Sequence, residues 1–452
     1  MFKRLTNASV LLVQRYLPDP FLFCIALTIL VFIAAMPLTN QSVMDIVGHW
    51  GRGAWNLLAF SMQMALVLVL GNAMAISPPM QKILKALAGL PKTPAGSIVL
   101  VTVVSLLACW INWGFGLVVG AIFAKEIAKR GNKVDYRLLI ASAYSGFLIW
   151  HGGFSGSVPL AVASVNEAVT AQTAGVLTES IPTTMTIFAP FNLFICIGLL
   201  IFIPLVNAMM HPAPEQVVTI DPSLLVEKPQ EEIRKNTFAE KMESSVLLSL
   251  LTVALCVAYL VMHFSARGFE FDLNIVNLVF LMLGVLFHGT PIRYVRAINE
   301  AVKGAGGILL QFPFYAGIMG VMVGVSPNSG LTLAGVISSA FVDISNATTF
   351  PLLSFLSAGI VNFFVPSGGG QWAVQAPIMM PSGAALGVSP AVTAMSIAWG
   401  DAWTNMIQPF WALPALGIAG LGARDIMGFC LIDLLVSGVI ICAGFLGAGL
   451  LV

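Results

Sequence analysis

The sequence predicts an all-α polytopic membrane protein made of two inverted-topology repeats, each with a re-entrant hairpin and a broken transmembrane helix. Three observations carry this prediction. Hydrophobic residues make up 58% of the 452 residues and Asp, Glu, Lys and Arg only 9%, against about 25% charged residues in soluble domains. Too few polar residues exist to cover a water-soluble fold. Apolar stretches of about 20 residues, enough to span lipid as a helix, recur along the chain. Finally, Lys and Arg occupy one set of loops in the first half and the complementary set in the second. The apolar stretches are continuous rather than alternating, which excludes a transmembrane β-barrel. A net charge of +1 gives no electrostatic case for nucleic acid.

The chain opens with Lys3, Arg4 and Arg15 before an apolar segment from about Pro20 to Pro37. That segment is longer than a signal-peptide core and further spans follow, so it reads as a retained first helix. Continuous spans are expected at 20–40, 54–77, 183–207, 244–264, 273–290, 305–326 and 426–450. Between them lie irregular apolar regions, 95–124, 138–163, 347–380 and 391–420, rich in Gly, Pro, Asn and Ser. One long charged segment, His211 to Glu243, sets Lys228, Arg234, Lys235 and Lys241 against seven acids. It divides the chain into a first repeat (1–210), a cytoplasmic linker (211–243) and a second repeat (244–452) with one additional leading helix. Two string matches support duplication: CWINWGFG (109–116) with GIVNFFVPSGGG (359–370), and SGSVPLAVAS (155–164) with FWALPALGIAG (410–420). They align Asn112 with Asn362 and Pro159 with Pro414 at nearly one offset. The six cysteines sit singly in apolar runs with no C-x-x-C, so neither a disulfide framework nor a zinc site is indicated.

Charge placement sets orientation. Lys82, Lys85, Lys92, Lys125, Lys129, Arg130, Lys133 and Arg137 follow the first-half spans, whereas 327–346 and 381–390 carry no Lys or Arg. Conversely, 41–53 has only Arg52 while 291–304 has Arg293, Arg296 and Lys303. Cytoplasmic loops hold the Lys/Arg excess, so the halves are expected in opposite orientations, inverted by the extra span 244–264. With the N-terminus cytoplasmic, only Arg52 and Arg267 of the 21 Lys and Arg fall outside. Region 95–124 then enters and returns on the cytoplasmic side, its tip at Asn112 to Gly116. Region 347–380 does so from outside, its tip at Asn362 to Gln371. Regions 138–163 and 391–420 each cross once, interrupted at Gly152 to Ser157 and near Thr404 to Pro409. Irregular backbone at membrane depth is tolerated only inside protein or along a polar cavity, and inverted repeats with broken helices are the pattern of secondary transporters.

Four polar loops therefore hold the candidate substrate-binding residues: Asn112, Trp113, Gly114 and Gly116; Trp150, Gly152, Ser155 and Ser157; Asn362, Ser367, Gly368, Gly369, Gly370 and Gln371; and Thr404, Asn405 and Gln408. Glycine N–H groups, amides, hydroxyls and half-helix N-termini suit a carboxylate. The loops contain no Lys or Arg, so dipoles and neutral donors would carry recognition. Their oxygens could equally hold Na⁺. Gly, Ser and Asn in membrane helices also serve close packing, although three consecutive glycines would spoil a packed helix. Trp399, Trp403, Phe410 and Trp411 either line an acyl pocket or fill the bundle. His151 and Asp401 occupy corresponding breaks and are the candidate ion-coupling pair. An intramembrane carboxylate costs roughly 2.5–3.5 kcal/mol on insertion scales, so such groups tend to line functional cavities. The alternative is that Asp401 only accepts hydrogen bonds from its surroundings. Asp433 is expected near the membrane interface. No metal site and no cofactor are predicted beyond a coupling ion, Na⁺ or H⁺. A phosphate-binding loop is absent, and without H-E-x-x-H, His151 beside Ser155 is too weak a signal for an enzyme.

The strings RYLPDPFLF (15–23), WNLLAFSMQMALVLVLG (55–71), INWGFGLVVGAIFAKE (111–126), GFSGSVPL (153–160), QFPFYAGIMG (311–320), PSGGGQWAVQAP (366–377) and QPFWALPALGIAGLGARDIMG (408–428) are long and uncommon. On these residues the chain resembles the bacterial short-chain fatty acid transporter family along essentially its full length. The resemblance implies inner-membrane carriage of small monocarboxylates such as acetoacetate and butyrate. It also implies kinship with the ion-transporter superfamily, in which paired hairpins and unwound helices bind substrate and Na⁺ and homodimers are common. The tips here read Asn-Trp-Gly and Ser-Gly-Gly-Gly rather than Ser-Asn-Thr. The expected function is alternating-access transport of short-chain fatty acid anions; a dicarboxylate or amino-acid carrier or exchanger of the same architecture is the alternative.

Overall fold

The computed structural model describes residues 20–56, 58–131, 133–220, 236–268, 273–362 and 368–450. Ser367, Lys3, Arg4, Arg15 and the linker residues Lys228, Arg234 and Lys235 lie outside them, as does the side chain of Phe410. Among the described residues every regular element is a helix and there are no strands. The first half runs α1 (Pro20–Thr39), α2 (Val43–Gly53), α3 (Leu58–Ala75), α4 (Pro78–Leu87), α5 (Pro94–Ile111), α6 (Trp113–Ala128), α7 (Tyr136–Tyr144), α8 (Ser157–Ala163), α9 (Glu167–Gln172) and α10 (Pro190–Met209). After α11 (Phe238–Glu243) and α12 (Val246–Arg267) come α13 (Leu273–His288), α14 (Pro291–Ala301), α15 (Gly306–Val323), α16 (Leu333–Ile344), α17 (Phe350–Asn362), α18 (Gly368–Ala385), α19 (Pro390–Thr404), α20 (Pro409–Ala419) and α21 (Ala423–Leu450). From α13 onward the order of long, short and broken helices is like that of α1 to α8 and α10; α9 has no second-half counterpart and α12 no first-half one.

By length and hydropathy, 94–111, 190–209, 246–266 and 423–448 can each cross a bilayer as one described helix. α3 and α4 form a further apolar pair bent by 66°. The bend falls at Ser77-Pro78-Pro79, where the prolines lack N–H donors for a continuing helix.

The first hairpin turns on a single residue. Asn112 is extended (φ −154°, ψ 123°), ending α5 and starting α6, and its Oδ1 accepts the Phe115 N–H at 2.9 Å. That capping bond satisfies a donor the first turn of any helix leaves open. A loop was expected from Asn112 to Gly116; instead Trp113 to Gly116 already form the first turn of α6. The arms lie back to back: a Cβ on Gly116 would stand 2.3 Å from Cys109 Sγ, and one on Gly120 2.4 Å from Ser105 Oγ. Glycine is thus required where the two helices touch. The 18-residue arm α5 is about 27 Å long, close to the thickness of a bilayer's hydrocarbon core. The second hairpin pairs α17 with α18: Gln371 Nε2 donates to the Ala358 carbonyl at 2.7 Å and Gln375 Nε2 to Ser357 Oγ at 3.4 Å.

Each hairpin leans on the broken helix that follows it. A Cβ on Gly146 would meet Ser105 at 2.5 Å, and one on Gly400 would meet the Phe355 carbonyl oxygen at 2.5 Å. The interruption of the first broken helix begins earlier than the expected Gly152: a 3-10 helix occupies Ser145–Gly152 before α8 resumes. The second breaks as a short 3-10 turn, Asn405–Ile407, close to expectation.

The helices sort into two bundles. One joins α1, α2 and α3 to α13, α14 and α15; the other joins both hairpins, both broken helices, α10 and α21. They meet chiefly where α3 packs on α6 and where α15 and α16 pack on α18. Gly114 serves the first contact, since a Cβ there would lie 2.7 Å from the Val67 carbonyl oxygen. Segment ends also cluster. Gln41 Nε2 donates to the Gly324 carbonyl and Ser329 Oγ to that of Thr39 (3.2 and 2.6 Å), so the ends of α1 and α15 coincide. His288 Nε2 lies 2.8 Å from the Ala73 carbonyl, joining the ends of α3 and α13. Arg130 reaches the Lys85 carbonyl and Tyr136 that of Ala419, both at 2.9 Å.

Candidate functional site

The two broken helices meet through one buried pair. His151 and Asp401, 250 residues apart, place Nδ1 and Oδ2 at 2.9 Å with both side chains essentially fully buried. The Val158 N–H donates to His151 Nε2 at 3.1 Å. A neutral imidazole has one N–H, so with Nε2 accepting, the proton sits on Nδ1 and points at Asp401. Asn405 Nδ2 approaches the same Oδ2 at 3.5 Å, while Asp401 Oδ1 has no partner among the described residues.

Both tips are built onto this pair. Asn362, ending α17, donates Nδ2 to the Asp401 carbonyl (2.7 Å), Thr404 Oγ1 (2.9 Å) and Asn405 Oδ1 (2.8 Å). Gln408 Nε2 donates to the Asn362 carbonyl. Gly368, where α18 begins, lies against His151, Trp150 and Ser157: a Cβ there would be 2.6, 2.8 and 3.1 Å from them. Gly369, Gly370 and Gln371 complete that buried first turn. From the first tip, the Trp113 N–H donates to Ser155 Oγ at 2.8 Å. The Trp113 ring packs edge-on to Trp150 (6.1 Å between centroids) and Trp411 (5.2 Å), and Trp150 stacks on His151 (4.1 Å). Gly152 sits behind, its carbonyl taking the Trp110 and Asn192 side-chain donors. Gly116 belongs to the arm contact described above.

The expected aromatic cluster divides. Trp399 donates to Asn192 Oδ1 and Trp403 to the Leu434 carbonyl (2.8 and 2.7 Å), anchoring α19 to α10 and α21. Only Trp411 reaches the tip aromatics. Asp433 is fully buried, beside Ser145 and Asn207. Sequence reading missed Asn192 and Tyr144, whose hydroxyl donates to the Asn405 carbonyl at 2.6 Å. An isolated Asn inside an apolar span is the signal that marks Asn192.

Among the described residues, the buried polar atoms around the site without a hydrogen-bond partner include the donors Asn112 Nδ2, Trp113 Nε1 and Trp150 Nε1 in the first half and the acceptors Asn362 Oδ1, Gln371 Oε1 and Asp401 Oδ1 in the second. The amide orientations are fixed by the bonds their other atoms make.

The profile of short-chain fatty acid transporters matches residues 1–447. The chain belongs to the short-chain fatty acid transporter family. Two relatives provisionally named short-chain fatty acid transporters are similar over nearly full length. One, from Escherichia coli (strain K12), is 48% identical over 447 residues, covering 98% of this chain and 99% of that one. The other, from Haemophilus influenzae, is 47% identical over 452 residues, covering 98% and 99%. Members of this family are transporters, not enzymes, and the chain is a multi-pass membrane protein. Among solved structures the fold is similar to the Alcanivorax borkumensis YdaH transporter (TM-score 0.57, 16% identity, 96% of this chain and 98% of that one). It is also similar to Neisseria gonorrhoeae MtrF, of a class of antimetabolite efflux pumps (TM-score 0.53, 14% identity, 99% and 97%).

Proposed function

We propose that this short-chain fatty acid transporter carries small monocarboxylate anions across the bacterial inner membrane by alternating access, coupled to a cation. The observation that carries this reading is this set of unpaired polar atoms around the site. A buried polar atom without a partner costs about 1–3 kcal/mol, a cost that a bound ligand would relieve. Three neutral donors match a carboxylate; three acceptors, one of them on a carboxyl group, match a small cation, Na⁺ or H⁺. The acyl tail would lie against Trp113, Trp150 and Trp411. Each buried CH₂ contributes roughly 0.8 kcal/mol, so chain length grades affinity. No Lys or Arg stands in the four loops to hold a second carboxylate, which favours monocarboxylates over dicarboxylates.

In this reading the bundle of hairpins, broken helices, α10 and α21 moves against the α1–α3 and α13–α15 scaffold. His151 orients Asp401, and the pair links ion occupancy to the junction of the two broken helices. The halves are taken as inverted copies with the N-terminus cytoplasmic. In support, α1 ends beside α15 while α13 ends beside α3, so positional counterparts finish with different neighbours. Proteoliposome uptake of a labelled C4 monocarboxylate, with Na⁺ and pH gradients imposed separately, tests the reading. Saturable uptake driven by one gradient, competed by butyrate and not by succinate, is expected. Succinate competition at equal strength would replace the monocarboxylate reading with a dicarboxylate one, and saturable uptake indifferent to both gradients would remove the coupling.

A further inference from the structure

We propose that Asp433 is a reversible proton-binding site separate from the His151–Asp401 pair. Asp433, on α21, is fully buried where four elements meet, with Thr102 of α5, Ser145 of the 3-10 helix and Asn207 of α10 around it. Ser145 Oγ lies 2.5 Å from Oδ2. The Asn207 amide reaches Oδ1 and Oδ2 at 3.0 and 3.1 Å on one side. On the other it reaches Thr102 Oγ1 at 3.2 Å and Ser145 Oγ at 3.1 Å.

Counting hydrogens shows why the group can hold either charge state. Thr102 and Ser145 hydroxyls each also face a carbonyl one turn back, Ile98 and Ala141, both at 2.8 Å. When the Asn207 NH₂ donates to the two hydroxyl oxygens, the amide oxygen faces Asp433, and the carboxyl must carry a proton, donated from Oδ1 to that oxygen while the Ser145 hydroxyl donates to Oδ2. When the amide is turned over, its NH₂ donates to both carboxyl oxygens, the Thr102 hydroxyl swings from Ile98 to the amide oxygen, and the Ser145 hydroxyl still donates to Oδ2. The ionised carboxylate is then fully satisfied. The same heavy atoms serve both arrangements, because amide oxygen and nitrogen occupy equivalent positions. Protonation makes one O–H bond, with the proton drawn from water, and needs only an amide turn and a hydroxyl rotation.

No basic side chain offsets the charge. Among the described residues, α10, α17 and α20 bring no Lys, Arg or His to the surface of α21. Arg137 of α7 is paired to Asp135 at 2.9 Å, and Asp401 of α19 is held by His151. The remaining titratable neighbours are the Cys430 thiol on the same helix and Tyr144, whose hydroxyl is committed to the Asn405 carbonyl. An intramembrane carboxylate without a cation is costly, which a bound proton relieves. The site does not depend on which acid is carried.

The test is infrared difference spectroscopy of the full-length protein in lipid vesicles as pH is stepped, which reads buried protonated carboxyl groups without substrate. The expected result is a pH-dependent carboxyl band that is lost in Asp433→Asn and kept in Asp401→Asn. In Ser145→Ala, which retains the carboxyl group, its midpoint should shift. The absence of a band, its survival in Asp433→Asn, its loss in Asp401→Asn instead, or an unmoved midpoint in Ser145→Ala would each overturn the proposal. Failure of Asp401→Asn to alter transport would leave it standing.

Discussion

At the scale of single residues, the site is governed by which atoms have partners. The Val158 N–H fixes the His151 tautomer, so His151 presents a proton to Asp401 rather than competing for one. Asp401→Asn keeps the shape but leaves an amide facing that N–H and the cation acceptors reduced by one. Uptake should fall steeply and lose its dependence on the driving gradient; unchanged uptake with unchanged pH dependence would remove the coupling role. Trp113→Phe and Trp150→Phe keep an aromatic ring, though a smaller one, and delete one indole N–H each. A hydrogen bond to a charged group contributes about 1.5–3 kcal/mol, so the concentration for half-maximal uptake should rise about tenfold or more in each. An equal effect on a neutral analogue of the same length would show that the rings, not the donors, were responsible.

At the scale of elements, the hairpins are held by residues that lack side chains. Gly116→Ala would set a Cβ 2.4 Å from the Cys109 backbone nitrogen, a clash that no rotamer change relieves. Overpacking of this sort costs about 1–3 kcal/mol, read as a lower unfolding temperature of the purified protein in detergent. Gly447, with open space around it, is the control: Gly447→Ala should leave that temperature essentially unchanged. Asn112 acts on the same element differently. Its capping bond to Phe115 substitutes for the hydrogen bond a continuous helix would supply, and Asn112→Ala should cost about 0.5–2 kcal/mol in the same assay.

At the scale of the whole molecule, the arrangement of ends is the strongest link between charge pattern and architecture. The basic segments at 82–92 and 125–137 come together through Arg130 and Lys85, and the end of α20 joins them through Tyr136. The segments at 39–42 and 324–329, without Lys or Arg, meet one another. Single cysteines introduced near Lys85 and near Asn328 of an otherwise cysteine-free protein should be labelled by an impermeant thiol reagent from opposite faces of sealed vesicles. Labelling from one face would exclude the inverted reading.

The span pattern was legible because hydrocarbon thickness imposes a length on every apolar run, and composition alone reveals that length. The breaks at Asn112 and Asn405 were legible because Asn, Gly and Pro state locally where a helix cannot continue. The early unwinding from Ser145 was not, since only the single Gly146 marks it ahead of Gly152; there the chain crosses Ser105 too closely for a Cβ. Likewise the burial of Asp433 arises from Ser145 and Asn207, on elements far away in sequence. What the amino-acid sequence by itself determined is which segments enter lipid and where they break, because those follow from nearest-neighbour chemistry and solvent. Which buried donors and acceptors find partners depends on hydrogen-bond geometry between residues as far as 250 positions apart, and only the tertiary structure decides that.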